Sequence, residues 1–151
     1  MIPESKLIKS EIVVRDMSLP DEVKLTKKSL LRWVALSLGL ISPNESRQIL
    51  LDVLDALVYF HAKKESPTTT ELLERLKKTS KEKFHEKTLY YHLLKMKEAG
   101  LVSRSKGKYS LGDGEWKPLP ELFRELYIHR ADKAFRNIEQ ALDKLQDSYT
   151  L

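Results

Sequence analysis

The chain has 151 residues, of which 41% are apolar and 32% charged, with a formal net charge of +5 and no cysteine. That composition fits one small globular domain, with or without helical extensions. It excludes disulfides, thiolate catalysis and cysteine-ligated zinc, and fits a reducing cytoplasm. The opening residues lack the apolar core of a secretory leader, and the most apolar window, Leu30 to Ile41, holds only 12 residues and includes Arg32. A bilayer span needs about 20, so this window is read as a buried helix and no membrane partner is expected.

In chain order, Lys6 to Arg15 carries Leu7, Ile8, Ile12, Val13 and Val14, a cluster that predicts a short strand. Thr26 is placed to cap a helix running to about Ile41, with Leu30, Leu31, Val34, Leu38 and Ile41 as its apolar stripe. Ser42-Pro43-Asn44-Glu45 then predicts a helix start, with Ser42 as cap, Pro43 in the first turn and Glu45 completing a capping box. That helix is expected to run to about Lys63, burying Ile49, Leu50, Val53, Leu54, Leu57 and Val58. Thr68 and Glu71 have capping-box spacing and open a shorter helix with Leu72, Leu73 and Leu76 inward. A polar run follows, in which Phe84 is expected to plug into the core.

The next helix is predicted from about Glu86 to Ala99. At 100° per residue, Leu89, Leu93, Met96 and Gly100 fall within about 60° of one another, which marks the core face. Lys87, Thr88, Tyr91, Lys95 and Glu98 face the other way, with Tyr90 on the flank. Gly100 is placed to stop the helix. Leu101 to Arg104 and Tyr109 to Leu111 read as two strands around a turn at Gly107. After Pro118 and Pro120 a long helix is predicted, with Ile128, Ala131, Phe135, Ile138, Leu142 and Leu145 spaced 3, 4, 3, 4, 3. That is a coiled-coil-like seam.

The charge is concentrated. Lys77 to Lys108 holds ten basic and three acidic residues, a net of +7, while the rest of the chain is −2. A basic segment of this kind is the electrostatic footprint of a nucleic-acid site. The histidines (His61, His85, His92 and His129) have no metal-ligand spacing, and His92 is expected on the helix flank, bonding a phosphate or a backbone group. There is no glycine-rich phosphate loop, nucleophile elbow or plausible carboxylate pair. No enzyme activity, cofactor or metal is expected.

Thr88-Leu89-Tyr90-Tyr91-His92-Leu93-Leu94-Lys95-Met96-Lys97-Glu98-Ala99-Gly100-Leu101-Val102 resembles the recognition helix and exit of ArsR-like and PadR-like transcriptional regulators. The likeness extends over about Ser42 to Leu111, and departs from the family pattern in the eleven residues between Leu76 and Thr88, longer than the usual turn. It implies a mainly α fold with a small β-hairpin: a winged helix-turn-helix at 42–114, flanked by an N-terminal extension at 1–41 (strand plus apolar helix) and a C-terminal dimerisation helix at 115–151. Such extensions are frequent in archaeal regulators, so an archaeal source is the expectation.

The resemblance further implies sequence-specific binding of double-stranded DNA by a cytoplasmic homodimer that regulates transcription. The helix at about 86–99 would enter the major groove and the wing at 103–109 would lie on the backbone. The DNA-binding residues expected are Lys87, Thr88, Tyr90, Tyr91, Lys95, Arg104, Lys106 and Lys108. The dimer interface expected is Ile128, Phe135, Ile138, Leu142 and Leu145. The alternatives are a winged-helix protein-interaction module and an RNA-binding protein that stacks bases on its tyrosines.

Overall fold

The computed structural model describes residues 1–81 and 83–150. The chain is mainly helical, with one two-stranded antiparallel sheet. Its elements in order are α1 (Lys27–Ser37), α2 (Gln48–Ala62), α3 (Thr69–Thr79), α4 (Glu86–Glu98), β1 (Val102–Ser105), β2 (Lys108–Leu111) and α5 (Leu119–Asp147). They form two compact units, Met1–Trp116 and Lys117–Leu151. Among the described residues, no helix is long and apolar enough to cross a membrane.

The core of the first unit is built around α2. Leu50, Leu51, Val53, Leu54, Ala56, Leu57 and Phe60 are all buried along it. Leu72 and Leu76 of α3, Leu89, Leu93 and Met96 of α4, and Val102, Tyr109 and Leu111 of the hairpin complete the core, and Phe84 is buried as expected. The α4 face read from periodicity is therefore the face that packs.

Capping signals predict three helix starts, at Thr26, Ser42 and Thr68, and two of them form. At α1, Thr26 Oγ1 accepts the Ser29 N–H at 3.1 Å. At α3, Thr68 Oγ1 accepts the Glu71 N–H at 3.2 Å, while the Glu71 carboxylate accepts the Thr68 N–H at 3.3 Å. This is the complete capping box. At α2 the expected start on Ser42 and Pro43 is not found, because the helix begins at Gln48. Residues 42–47 form a turn in which Asn44 (φ 70°) and Arg47 (φ 35°) adopt left-handed backbone. The cause is tertiary. Arg32 of α1 donates to the carbonyls of Glu45 (2.8 Å) and Ser46 (3.5 Å), which points those groups away from any helix axis.

The strand expected within 6–15 does not form either. No strand partner runs beside this segment among the described residues, and a short helical turn occupies Glu4–Lys6. Residues 13–18 instead run antiparallel to α1. Ser18 O accepts the Trp33 indole N–H at 2.8 Å. Arg15 N–H donates to Ser37 O at 2.7 Å, and the Arg15 guanidinium donates to Leu36 O (2.6 Å) and Ile41 O (2.9 Å). Leu36 and Ser37 are in the last turn of α1, whose carbonyls lack i+4 helical partners, and Ile41 lies in the turn beyond it. Helix α1 ends at Ser37, short of the expected Ile41, and the chain turns at Gly39 (φ 71°) directly against Val13.

The connection after α3 divides into helix and loop. Helix α3 continues to Thr79, and Ser80 Oγ then donates to Asp52 Oδ2 of α2 at 2.6 Å. Gln48 holds the other carboxylate oxygen at 2.8 Å. The long connection is thus anchored to α2 one residue beyond α3.

In the second unit, α5 is 29 residues long with Pro120 in its first turn. Its buried residues are Leu122 and Tyr127. The residues of the sequence seam, Ile128, Phe135, Ile138, Leu142 and Leu145, are 44 to 54% exposed.

Candidate nucleic-acid interface

Helix α4 and the hairpin are adjacent in sequence and pack together. The turn between the strands is Lys106-Gly107, with φ of 54° and 77°. Two consecutive left-handed residues make the two-residue hairpin turn whose twist matches its strands. Register pairs Ser105 with Lys108 and Arg104 with Tyr109. One further contact fixes the hairpin in place. Thr68, the cap of α3, bridges to Lys108, and the Tyr109 N–H donates to Pro67 O at 2.8 Å. The hairpin is therefore tied to the start of α3 as well as to α4.

All eight expected contact residues lie on these two elements. Lys87, Lys95, Arg104, Lys106 and Lys108 are exposed, and Thr88 is half-buried. Tyr90 is 42% and Tyr91 53% exposed, so neither tyrosine belongs to the core. They nevertheless have different surroundings. The Tyr91 ring stands edge-on to His92 at 5.3 Å and under the Lys95 ammonium at 5.8 Å. Tyr90 lines a recess of about 210 Å³ between α4 and the hairpin, with Leu93, Leu94, Lys97, Arg104 and Tyr109. The Arg104 guanidinium lies 5.7 Å from the Tyr109 ring.

Sequence reasoning passed over Lys97 and Leu94 as site residues. Both line this recess, and Leu94 is 53% exposed there. Position 94 stands opposite the core stripe on the helical wheel, and a leucine there is the signal that could have marked a contact surface.

The head of α4 has no side-chain cap, since His85 offers none. Its first helical bond runs from the Leu89 N–H to His85 O at 3.1 Å. The preceding N–H groups are oriented to receive an anion. Lys95 pairs with Glu98 at 3.9 Å, with both side chains more than half exposed. Such a pair is worth little and leaves Lys95 available to a phosphate.

His92 departs from its expected role on the helix flank. It is 9% exposed and bonds no backbone group among the described residues. Burial, reinforced by the positive charge of Arg47, holds its imidazole below the usual histidine range. A second cationic cluster lies on α2 and α3, where Arg75 (3.6 Å) and Lys63 (4.6 Å) both approach the Tyr59 ring. Hydrogen bonding to Lys63 lowers the Tyr59 phenol from its ordinary value. Among the described residues, no three His, Asp or Glu side chains converge as a metal site requires.

Comparison with protein-family models, with curated proteins and with solved structures returns no match for this chain.

Proposed function

We propose that this chain is a winged helix-turn-helix protein that binds duplex DNA as a homodimer and regulates transcription in the cytoplasm. Three observations support the fold reading: the order α2-α3-α4-β1-β2, the tie between the hairpin and the start of α3, and the exposed outer face of α4. In this reading α3 and α4 are the helix-turn-helix, α4 enters the major groove, and the β1–β2 hairpin is the wing.

The observation that carries the function is the juxtaposition of α4 and the hairpin. The outer face of α4 presents Lys87, Tyr91 and Lys95 behind an uncapped helix head, beside a hairpin carrying Arg104, Lys106 and Lys108. Lysine and arginine at these positions reach phosphates and give affinity, while Thr88, Tyr90 and Tyr91 reach sugar, phosphate or the thymine methyl. A module that served protein contacts alone would not need this density of positive charge on one surface.

The dimer rests on α5. Its seam is exposed, is apolar at heptad spacing, and is flanked by charges of both signs. A second copy with the same seam is the self-complementary occupant. A symmetric dimer would present two α4 helices to one face of the duplex, about 34 Å apart.

Binding to a random-sequence duplex across a salt series tests the reading. Affinity is expected to fall linearly on logarithmic axes as salt rises. Lys95→Ala should weaken binding about fivefold and reduce the salt slope by about one. Tyr91→Ala should weaken it comparably, and Glu121→Ala should leave it unchanged. Absence of binding at low salt, or equal losses in all three variants, refutes the assignment. Competition with single-stranded RNA separates the duplex reading from base stacking on Tyr90 and Tyr91.

A further inference from the structure

The outer face of α4 is not uniformly polar. Leu94 follows Tyr90 by four positions and Tyr91 by three, so the three side chains are neighbours on one helix face. All three are exposed, and they form an apolar and aromatic patch midway along α4. On its hairpin side the patch continues into the recess between α4 and the hairpin. Leu93 and Tyr109 are the buried members of that lining, and Tyr90, Leu94, Lys97 and Arg104 are the exposed ones. No acidic side chain lines the recess among the described residues.

Around this patch the charge is positive. Lys87 and Lys95 lie on α4, and Lys106 and Lys108 join Arg104 on the hairpin, all of them exposed. The acids of α4 are Glu86 in its first turn and Glu98, which pairs with Lys95 at 3.9 Å. The surface is therefore apolar at its centre and cationic at its rim. An apolar partner would leave the rim cations without counter-charges. The complement is a polyanion that carries an apolar projection. Among base-pair edges in the major groove, the apolar group is the C5 methyl of thymine. Phosphates flank it on both sides, within reach of lysine and arginine.

We propose that Leu94, with Tyr90 beside it, receives a thymine C5 methyl in each half-site and selects thymine over cytosine and uracil at that position. The inference rests on the duplex-DNA reading above, and it adds the base that α4 reads and the residue that reads it. Leu94 is then a specificity-determining residue, while Lys97 and Arg104 hold the flanking phosphates. RNA and uracil-containing DNA lack the methyl, so the same side chain discriminates against both.

The test uses the full chain and the duplexes that it enriches from a random-sequence pool. The tightest of these is synthesised with thymine, and again with uracil in place of every thymine. That exchange removes methyl groups and leaves base pairing and charge unchanged. The uracil form is expected to bind about fourfold more weakly for each methyl lost from Leu94. Leu94→Ala, a change at an exposed helix position, should lose a similar factor on the thymine duplex and little on the uracil duplex. The variant then no longer distinguishes the two. The thymine-to-uracil affinity ratio should stay constant across a salt series while both affinities fall, because an apolar contact releases no counterions. Single replacements of thymine by uracil should locate one sensitive position in each half-site. Equal binding of the two duplexes by the parent chain refutes the proposal and leaves the duplex-binding reading standing. Full discrimination by Leu94→Ala, or duplex binding without any enriched sequence, does the same. Absence of binding to any duplex at low salt refutes that reading itself, and this inference falls with it.

Discussion

Gly39 and Gly107 both adopt left-handed backbone, but a methyl group would meet different surroundings at each. At Gly39 it would collide with Val13, whose Cγ1 lies 2.8 Å from the added carbon. At Gly107 nothing lies within 4 Å. Gly107→Ala should therefore cost only the backbone term, about 1 kcal/mol. Gly39→Ala should cost about 2 to 4 kcal/mol, because overpacking adds to it. Denaturant unfolding of the two variants checks this, and equal losses would contradict the Val13 contact. His92 gives a residue-scale prediction with a definite sign. Its proton affinity is lowered in the folded chain, so the unfolded chain takes up the proton first as pH falls. The stability it contributes is complete above about pH 6.5 and is lost as pH falls through the lower folded value. The melting temperature should drop between pH 7.5 and pH 5, and should drop less in His92→Gln. Parallel pH profiles would show that another group is responsible.

At the scale of elements, Thr68 and Ser42 show which parts of the fold were legible in the sequence. The Thr68–Glu71 box closes on itself within one turn, so nothing distant can overrule it. The Ser42 signal was equally good locally, but Arg32, in α1, takes the nearby carbonyls and delays the helix to Gln48. The β-branched run at 6–15 failed as a strand for a related reason. A strand needs a partner, and the groups that hold this segment are Arg15, Ser18 and Val13 against α1. The outer face of α4 was legible because helical periodicity alone separates Tyr91 and Lys95 from Leu89 and Leu93. The burial of His92 was not, since it depends on where α4 packs against α2. Thr68→Ala should destabilise the chain by about 1 kcal/mol through loss of the cap. Its bridge to Lys108 uses backbone atoms, so hydrogen exchange at Tyr109 should remain as slow, relative to global unfolding, as in the parent chain. Selective loss of protection at Tyr109 would mean that the Thr68 side chain holds the hairpin directly.

At the scale of the whole molecule, the basic segment and the exposed seam of α5 are separated along the chain. The +7 segment ends at Lys108, and the exposed seam begins at Ile128. In the proposed reading, one part holds DNA and the other holds a second copy, and each can be removed without the other. Phe135→Asp, at the middle of the seam, should convert a dimer into a monomer in sedimentation at micromolar concentration. It should leave the circular dichroism of Met1–Trp116 intact and weaken binding to a two-half-site duplex far more than to a single half-site. A parent chain that sediments as a monomer at that concentration would remove the dimer from the proposal.

The docking of residues 13–18 on α1 has a consequence for how the chain could be dissected. Arg15 and Ser18 engage α1 as an intramolecular ligand engages its receptor, and the short link to Lys27 sets a high effective concentration. Cutting that link would leave the coordinates of both pieces unchanged at first, yet turn a unimolecular contact into a bimolecular one that dilution dissolves. The Leu36 and Ser37 carbonyls at the end of α1, and that of Ile41 in the following turn, would then lose the Arg15 donors. In that sense the segment before α1 is the detachable C-terminal cap of a helix that follows it in the chain.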